Sequence, residues 1–178
     1  FAAGFMAAGP NAFVQCEAIE SLHLSGGISS WASGVLYDNV RIDGNVLGFG
    51  NLSSNYNGAG WSAANSVLWQ CSASVIRCYS PPTAQNWAFG CWGQFEGDGH
   101  FESSNEHIQP QSLYYAQLAE RVGHHVLERA QLKPIGEGSE SNPSIQQAAA
   151  LTRASGQPAV TMDGWIEQVV AKSPIGDA

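Results

Sequence analysis

Trp61-Ser-Ala-Ala-Asn-Ser-Val-Leu-Trp-Gln-Cys71 and, further along, Asn86-Trp-Ala-Phe-Gly-Cys-Trp-Gly93 are the stretches on which the reading of this chain turns. Each reads as a short strand of small, aromatic and apolar residues ending in a cysteine, and Cys71 and Cys91 lie 20 residues apart. Similar punctuation occurs upstream in Ala12-Phe-Val-Gln-Cys16, Val35-Leu-Tyr-Asp-Asn39 and Val46-Leu-Gly-Phe-Gly-Asn51. Taking Cys16, Asn39, Asn51, Cys71 and Cys91 as strand ends gives intervals of 23, 12, 20 and 20 residues. Spacings near 20 are what a solenoid produces, because each coil returns to the same place one strand spacing (about 4.8 Å) further on. Strand pieces of about five residues with no helical period between them favour a parallel β-helix over a βαβ fold, which needs crossover helices.

The composition agrees with turn-rich β-structure. Of 178 residues, 20 are Gly and 8 are Pro, and only 12% are charged. The length suits one ordinary domain with a small appendage. The chain starts at Phe1 and reads as a processed or truncated piece of something longer. Its apolar opening residues are soon broken by turn signals, so no membrane span is expected. The turns Gly9-Pro10-Asn11, Ser25-Gly26-Gly27 and Ile42-Asp43-Gly44-Asn45 punctuate the strands, Pro81-Pro82 marks a bend, and residues 52–60 form a polar loop that protrudes from a regular coil.

The net charge of −8 is unevenly spread: residues 1–109 carry Arg41 and Arg77 against eight acids. Nucleic acid and anionic membrane both need clustered cations and are not expected partners. A polyanionic glycan would also be repelled unless a cation bridged the contact, so neutral partners are favoured. Cys16, Cys71, Cys78 and Cys91 show no CxxC pair and no zinc spacing. Cys71 and Cys91 in neighbouring coils fit either a disulfide or a ladder of stacked thiols, and the burial habit of free cysteine favours the ladder.

At Pro110 the pattern changes. Leu113, Tyr114, Leu118, Val122, Val126 and Leu127 recur at helical spacing over 111–132, with Ser112 as N-cap and Gly123 as an interruption. A linker over 133–142, a second helix from Pro143 to Arg153 and a third from Asp163 to Lys172 follow. The division expected is therefore 1–109 for parallel coils and 110–178 for a helical tail capping the open end of the stack.

Five motifs in order then carry a resemblance: Trp31–Val40, Gly58–Asn65, Val67–Cys71, Pro81–Cys91 and Ser112–Gly123. Together they resemble the C-terminal part of a group of large bacterial pectin-lyase-like right-handed β-helix proteins, over roughly residues 10–123. The resemblance implies an all-β, right-handed, single-stranded parallel β-helix with a small α-helical C-terminal tail, in a secreted or periplasmic protein. It implies a carbohydrate-active chain, part of a polysaccharide-degrading enzyme of lyase or glycoside hydrolase type. The alternative is a non-catalytic glycan-binding or structural β-helix module. Either way the partner is a polysaccharide or oligosaccharide.

Glycosidases of this superfamily work through carboxylates, one protonated and one ionised. A lyase needs a base and a neutraliser of the uronate carboxylate, often Ca2+. The candidates are Asp38, Arg41, Asp43 and His23, with no dedicated metal set. Arg41 and Asp43 share a strand face that Asp38 does not. Asp38-Asn39 and Asp43-Gly44 also have a plainer assignment as turn chemistry, and His23 as an exposed loop histidine. Flat rings suit sugar faces, making Trp31, Tyr37, Tyr56, Trp61 and Trp87 the candidate binding residues. Trp69 and Trp92, beside the cysteine column, are expected in the interior.

Overall fold

The computed structural model describes residues 1–55 and 60–133, together with 146, 149–150, 152–153, 161–164 and 166–167. The fold is mostly β, in parallel sheets, with a few short helices. One sheet has the order β1 (Ala2–Ala3), β4 (Ser25–Gly27), β7 (Arg41–Phe49), β10 (Ser72–Cys78), β12 (Trp92–Glu96), with β3 (Glu17–Ala18) also pairing with β7. A second has the order β13 (His100–Glu102), β11 (Trp87–Phe89), β9 (Val67–Trp69), β6 (Val35–Asp38), β2 (Asn11–Val14). A third pairs β5 (Ala32–Ser33) with β8 (Ala63–Ala64). The chain leaves one sheet for another and, on each return, lies parallel beside the strand it made before.

Side-chain alternation explains the core. In β6, Val35 and Tyr37 turn inward while Leu36 and Asp38 turn outward; in β9 and β11, Leu68 and Ala88 turn inward. They meet Ile42, Leu47, Phe49, Ala73, Ile76 and Cys78 from the first sheet. Each of the larger side chains contributes roughly 1.5–3 kcal/mol on burial. The same alternation corrects the expectation for Trp69, which shares the outward face of β9 with Val67 and is only half-buried, its ring 5.5 Å from Phe89. Trp92 is likewise half-buried and packs on His107 at 5.1 Å, outside the core cluster.

The recurrence of Cys16, Cys71 and Cys91 is kept by the register, but the strands themselves end two residues earlier, and Asn39 falls out of the column. Register aligns Val14, Asp38, Trp69 and Phe89. The residue after each takes a left-handed conformation: Gln15 (φ 51), Asn39 (φ 55), Gln70 (φ 48) and Gly90 (φ 61). Gly90 suits this geometry on a second count, since a Cβ there would lie 2.8 Å from Ile108 Cγ1. The following residue then faces inward, so the column is Cys16, Val40, Cys71 and Cys91. Asn39 therefore belongs with Gln15 and Gln70, not with the cysteines. Asn51 is no strand end either; it makes an isolated antiparallel bridge with Trp61. Nor is 61–71 one strand, because Asn65 (φ 51) separates β8 from β9.

Ser112 caps α1 (Leu113–Val122) by accepting from the Tyr115 N–H at 3.2 Å. Gly123 (φ 101) ends that helix, as its place in the periodic run suggests, and α2 (His125–Ala130) follows. The segment leading into α1 and the end of α2 are tied to the left-handed residues that follow β2, β6 and β9. Gln70 donates to the carbonyls of Pro110 (3.1 Å) and Gln111 (3.0 Å) and accepts from the Ile108 N–H at 3.1 Å. Asn39 donates to the Gln111 carbonyl at 2.8 Å. Gln15 donates to the Ala130 carbonyl (3.1 Å) and accepts from the Lys133 N–H (2.9 Å). The reason is geometric: a left-handed residue swings its side chain outward, and three amides in register offer donors and acceptors to a returning chain.

Phe1–Ser141, holding the sheets with α1 and α2, is one compact unit, and Asn142–Ala178 is a second. In the second unit the positions 146, 149–150, 152–153, 162–164 and 166–167 are helical, and Thr161 Oγ1 accepts from the Gly164 N–H at 3.2 Å. Most of the linker expected over 133–142, and much of the second and third helices, lie outside the described residues.

Candidate functional site

Asp38 faces outward from its sheet, yet its exposure is 0%. The cover is the start of α1. Its carboxylate accepts from the Ser112 hydroxyl at 2.6 Å, the Tyr114 N–H at 2.7 Å and the Asn39 amide at 2.7 Å. Burial raises its pKa, and these three hydrogen bonds pull in the opposite direction without cancelling the rise. A carboxylate enclosed in this way leaves no open side for a substrate. It joins sheet to helix, and nothing in the local sequence announces this because the helix partners come 74 and 76 residues later.

Arg41 and Asp43 share the outward face of β7, with the fully buried Ile42 between them, as alternation requires. Arg41 reaches Glu17 on the adjoining strand at 3.8 Å, an exposed pair of small energetic weight. Asp43 has one carboxylate oxygen, Oδ1, that is buried with no hydrogen-bond partner among the described residues. His23 is exposed, and its own carbonyl accepts from the Ser21 hydroxyl at 2.8 Å. Asp38 is held in another sheet and under another element, so the structure does not bring the four candidates together.

The aromatic candidates separate by exposure. Tyr37 is at 0% exposure, stacked on Phe13 at 4.8 Å, and its hydroxyl donates to the Gly26 carbonyl at 2.8 Å. Burial pushes its phenol well above the ordinary range. Tyr37 is thus a core residue, corrected from a ligand-binding one by the inward parity of β6. Trp87 is half-buried on the outward face of β11, and Tyr56 lies outside the described residues. Trp31 is 42% exposed. Its backbone N–H donates to the Trp61 carbonyl at 2.9 Å, joining the main chains of the two tryptophans at the entry to the paired β5 and β8.

A polar group that sequence reading did not single out lies on β10 and β12. Arg77 donates twice to Glu96 Oε2, at 3.0 and 2.9 Å, and the Tyr79 hydroxyl donates to Glu96 Oε1 at 3.2 Å. Partial burial, and next the charge of Glu96, hold the Tyr79 phenol above its usual value. The register that pairs Arg77 with Glu96 is the only signal for this cluster, and register is not written in spacing.

The four cysteines are free thiols. Burial pushes Cys78 up to about 12 and raises Cys71 well above its ordinary value, with the neighbouring Cys91 adding to the latter. Since the thiolate is the reactive form, alkylation of the native protein at pH 8 should spare Cys71 and Cys78, and burial at 1% exposure shields Cys91 from the reagent, with all four labelled in denaturant. Mass spectrometry reads the result, and rapid native labelling of Cys71 would contradict this account of the core.

Among the described residues no group of three or more His, Cys, Asp or Glu side chains gathers as a metal-holding set, and no helix is long and apolar enough to cross a membrane. Residues 99–178 match a family model described as "Domain of unknown function (DUF6298)"; the match takes in β13, α1 and α2. No curated protein and no solved structure matches the chain.

Proposed function

We propose that this chain is part of a right-handed parallel β-helix that associates with carbohydrate, and that the residues described serve glycan binding rather than bond cleavage. All the named ladders are parallel and each pass of the chain lands beside the previous one, which supports the β-helix reading. The observation that carries the binding role is the pairing of Trp31 with Trp61. The first is well exposed and the second half-buried, and a backbone hydrogen bond joins them just before the paired β5 and β8. Two tryptophans whose main chains are neighbours can together offer a platform for the apolar faces of successive sugar rings. The binding reading is also preferred because Asp38 is sealed, while Arg41 and Asp43 sit apart from it. Neutral oligosaccharides are the ligands that fit a chain of net charge −8, and a secreted or periplasmic setting goes with such partners.

Titration calorimetry against neutral and uronate oligosaccharides tests this. Trp31→Ala and Trp61→Ala should each weaken binding by about ten-fold, from the loss of roughly 1–1.5 kcal/mol of aromatic contact. Arg41→Ala and Asp43→Ala should leave it unchanged. Glycan cleavage that disappears with Arg41→Ala or Asp43→Ala, or full affinity in both tryptophan variants, would point instead to an enzyme.

A further inference from the structure

We infer that the groove between α1 and the outward face of β2 and β6 is a ligand site for a small aromatic carboxylate. It encloses about 630 Å3, within the size range of small-molecule pockets, and it is distinct from the Trp31–Trp61 face. Its floor is Ala12 and Leu36 on the two strands, and Leu118 closes it from the helix. Tyr114 and Tyr115 form one wall, their rings edge to face with centroids 5.3 Å apart and planes at 86°. A flat ring entering between sheet and helix meets apolar side chains below and aromatic edges beside it.

Arg121 supplies the polar end. It lines the same groove, in the last turn of α1, and makes no ion pair among the described residues. By contrast, Arg41 and Arg77 are each matched to a glutamate on a neighbouring strand. One guanidinium at the mouth of an apolar slot suits a single carboxylate, whose two oxygens match its donor fork. A polyphosphate would need several cations, and a neutral sugar would leave the guanidinium without a counter-charge.

Cinnamate, with cinnamamide as its uncharged counterpart, is the probe. In an NMR titration of the whole chain, cinnamate should bind saturably, perturb Leu36 and Tyr115, and bind about ten-fold more tightly than the amide. Arg121→Gln should abolish that preference while leaving cinnamamide binding as it was. Ala12→Trp fills the slot from the sheet side and Gln117→Trp from the helix side. Both positions are exposed, and each variant should lose cinnamate binding with an unchanged circular dichroism spectrum. Trp31→Ala should bind cinnamate normally, which separates this site from the glycan face. Equal affinity for acid and amide, a preference that survives Arg121→Gln, or a neutral oligosaccharide occupying the groove where cinnamate does not, would overturn the assignment.

Discussion

Asp38→Ala is expected to destabilise the Phe1–Ser141 unit by about 3 kcal/mol or more and to free the start of α1. The substitution removes the acceptor shared by the Ser112 hydroxyl, the Tyr114 N–H and the Asn39 amide. Those donors lie where water does not readily replace the lost partner, since Ser112 is only 2% exposed. Urea unfolding gives the magnitude, and hydrogen exchange over 112–122 shows whether the helix opens before the sheets. A loss below about 1 kcal/mol with α1 still protected would refute the anchoring role.

The same carboxylate sets a pH dependence whose sign follows from its environment. Burial raises its pKa in the folded chain above the ordinary 3.8, and the hydrogen bonds only partly offset that. A carboxyl that ionises less readily when folded favours folding more as pH falls through its folded pKa, with the gain complete below 3.8. Asp38→Asn has no such proton to gain. Wild-type stability relative to Asp38→Asn should therefore rise as pH is lowered from 7 towards 4 and then level off. A relative stability that instead falls with acidification would mean that the ionised form is the one the fold prefers.

Asn86→Ala carries the second large effect, about 2–4 kcal/mol. Asn86 is 0% exposed and uses both ends of its amide. Its oxygen accepts from the Ser66 N–H at 3.0 Å, while its nitrogen donates to the carbonyls of Ala63 (3.1 Å) and Tyr79 (2.9 Å). One side chain thus joins three separate stretches of backbone at the turns before β9 and β11. Alanine would strand a donor and two acceptors and leave a cavity. Asn86→Asp is the informative companion, since it keeps the acceptor but points a second oxygen at two carbonyls. It should be at least as damaging as alanine at neutral pH. Thermal unfolding of both variants measures this, and an Asn86→Asp protein as stable as wild type would mean the buried amide is not holding those turns.

Asn86 opens the second of the two deciding stretches, and there it reads as the first residue of a short strand. The two carbonyls it satisfies lie at Ala63 and Tyr79, and only the folded chain brings them together. Asp38 reads locally as turn chemistry beside Asn39. Its burial depends on a helix 74 residues away in sequence, and local pattern carries no information about which outward position a distant segment will cover. The amides of Gln15, Asn39 and Gln70 are a third case. Each is unremarkable alone, but parallel register stacks them and a left-handed backbone turns them outward to hold the returning chain.

What the sequence determined by itself is whatever depends on neighbours along the chain. Short strands with inward and outward alternation, the Ser112 cap, the Gly123 stop and the buried Cys71 and Cys91 were legible, because each is settled by steric or hydrogen-bonding preferences within a few residues. Ser25–Gly27 and residues 42–45, expected as turns, instead form β4 and part of β7, because pairing with neighbouring strands overrides the local turn preference of glycine. Tertiary structure alone decided the register that moves the column from Asn39 to Val40, the inward turn of Tyr37, the enclosure of Asp38 and the groove beneath α1. Those depend on which strands and helices meet. That choice is made by the summed burial of residues far apart in sequence, a quantity that no short window of the chain contains.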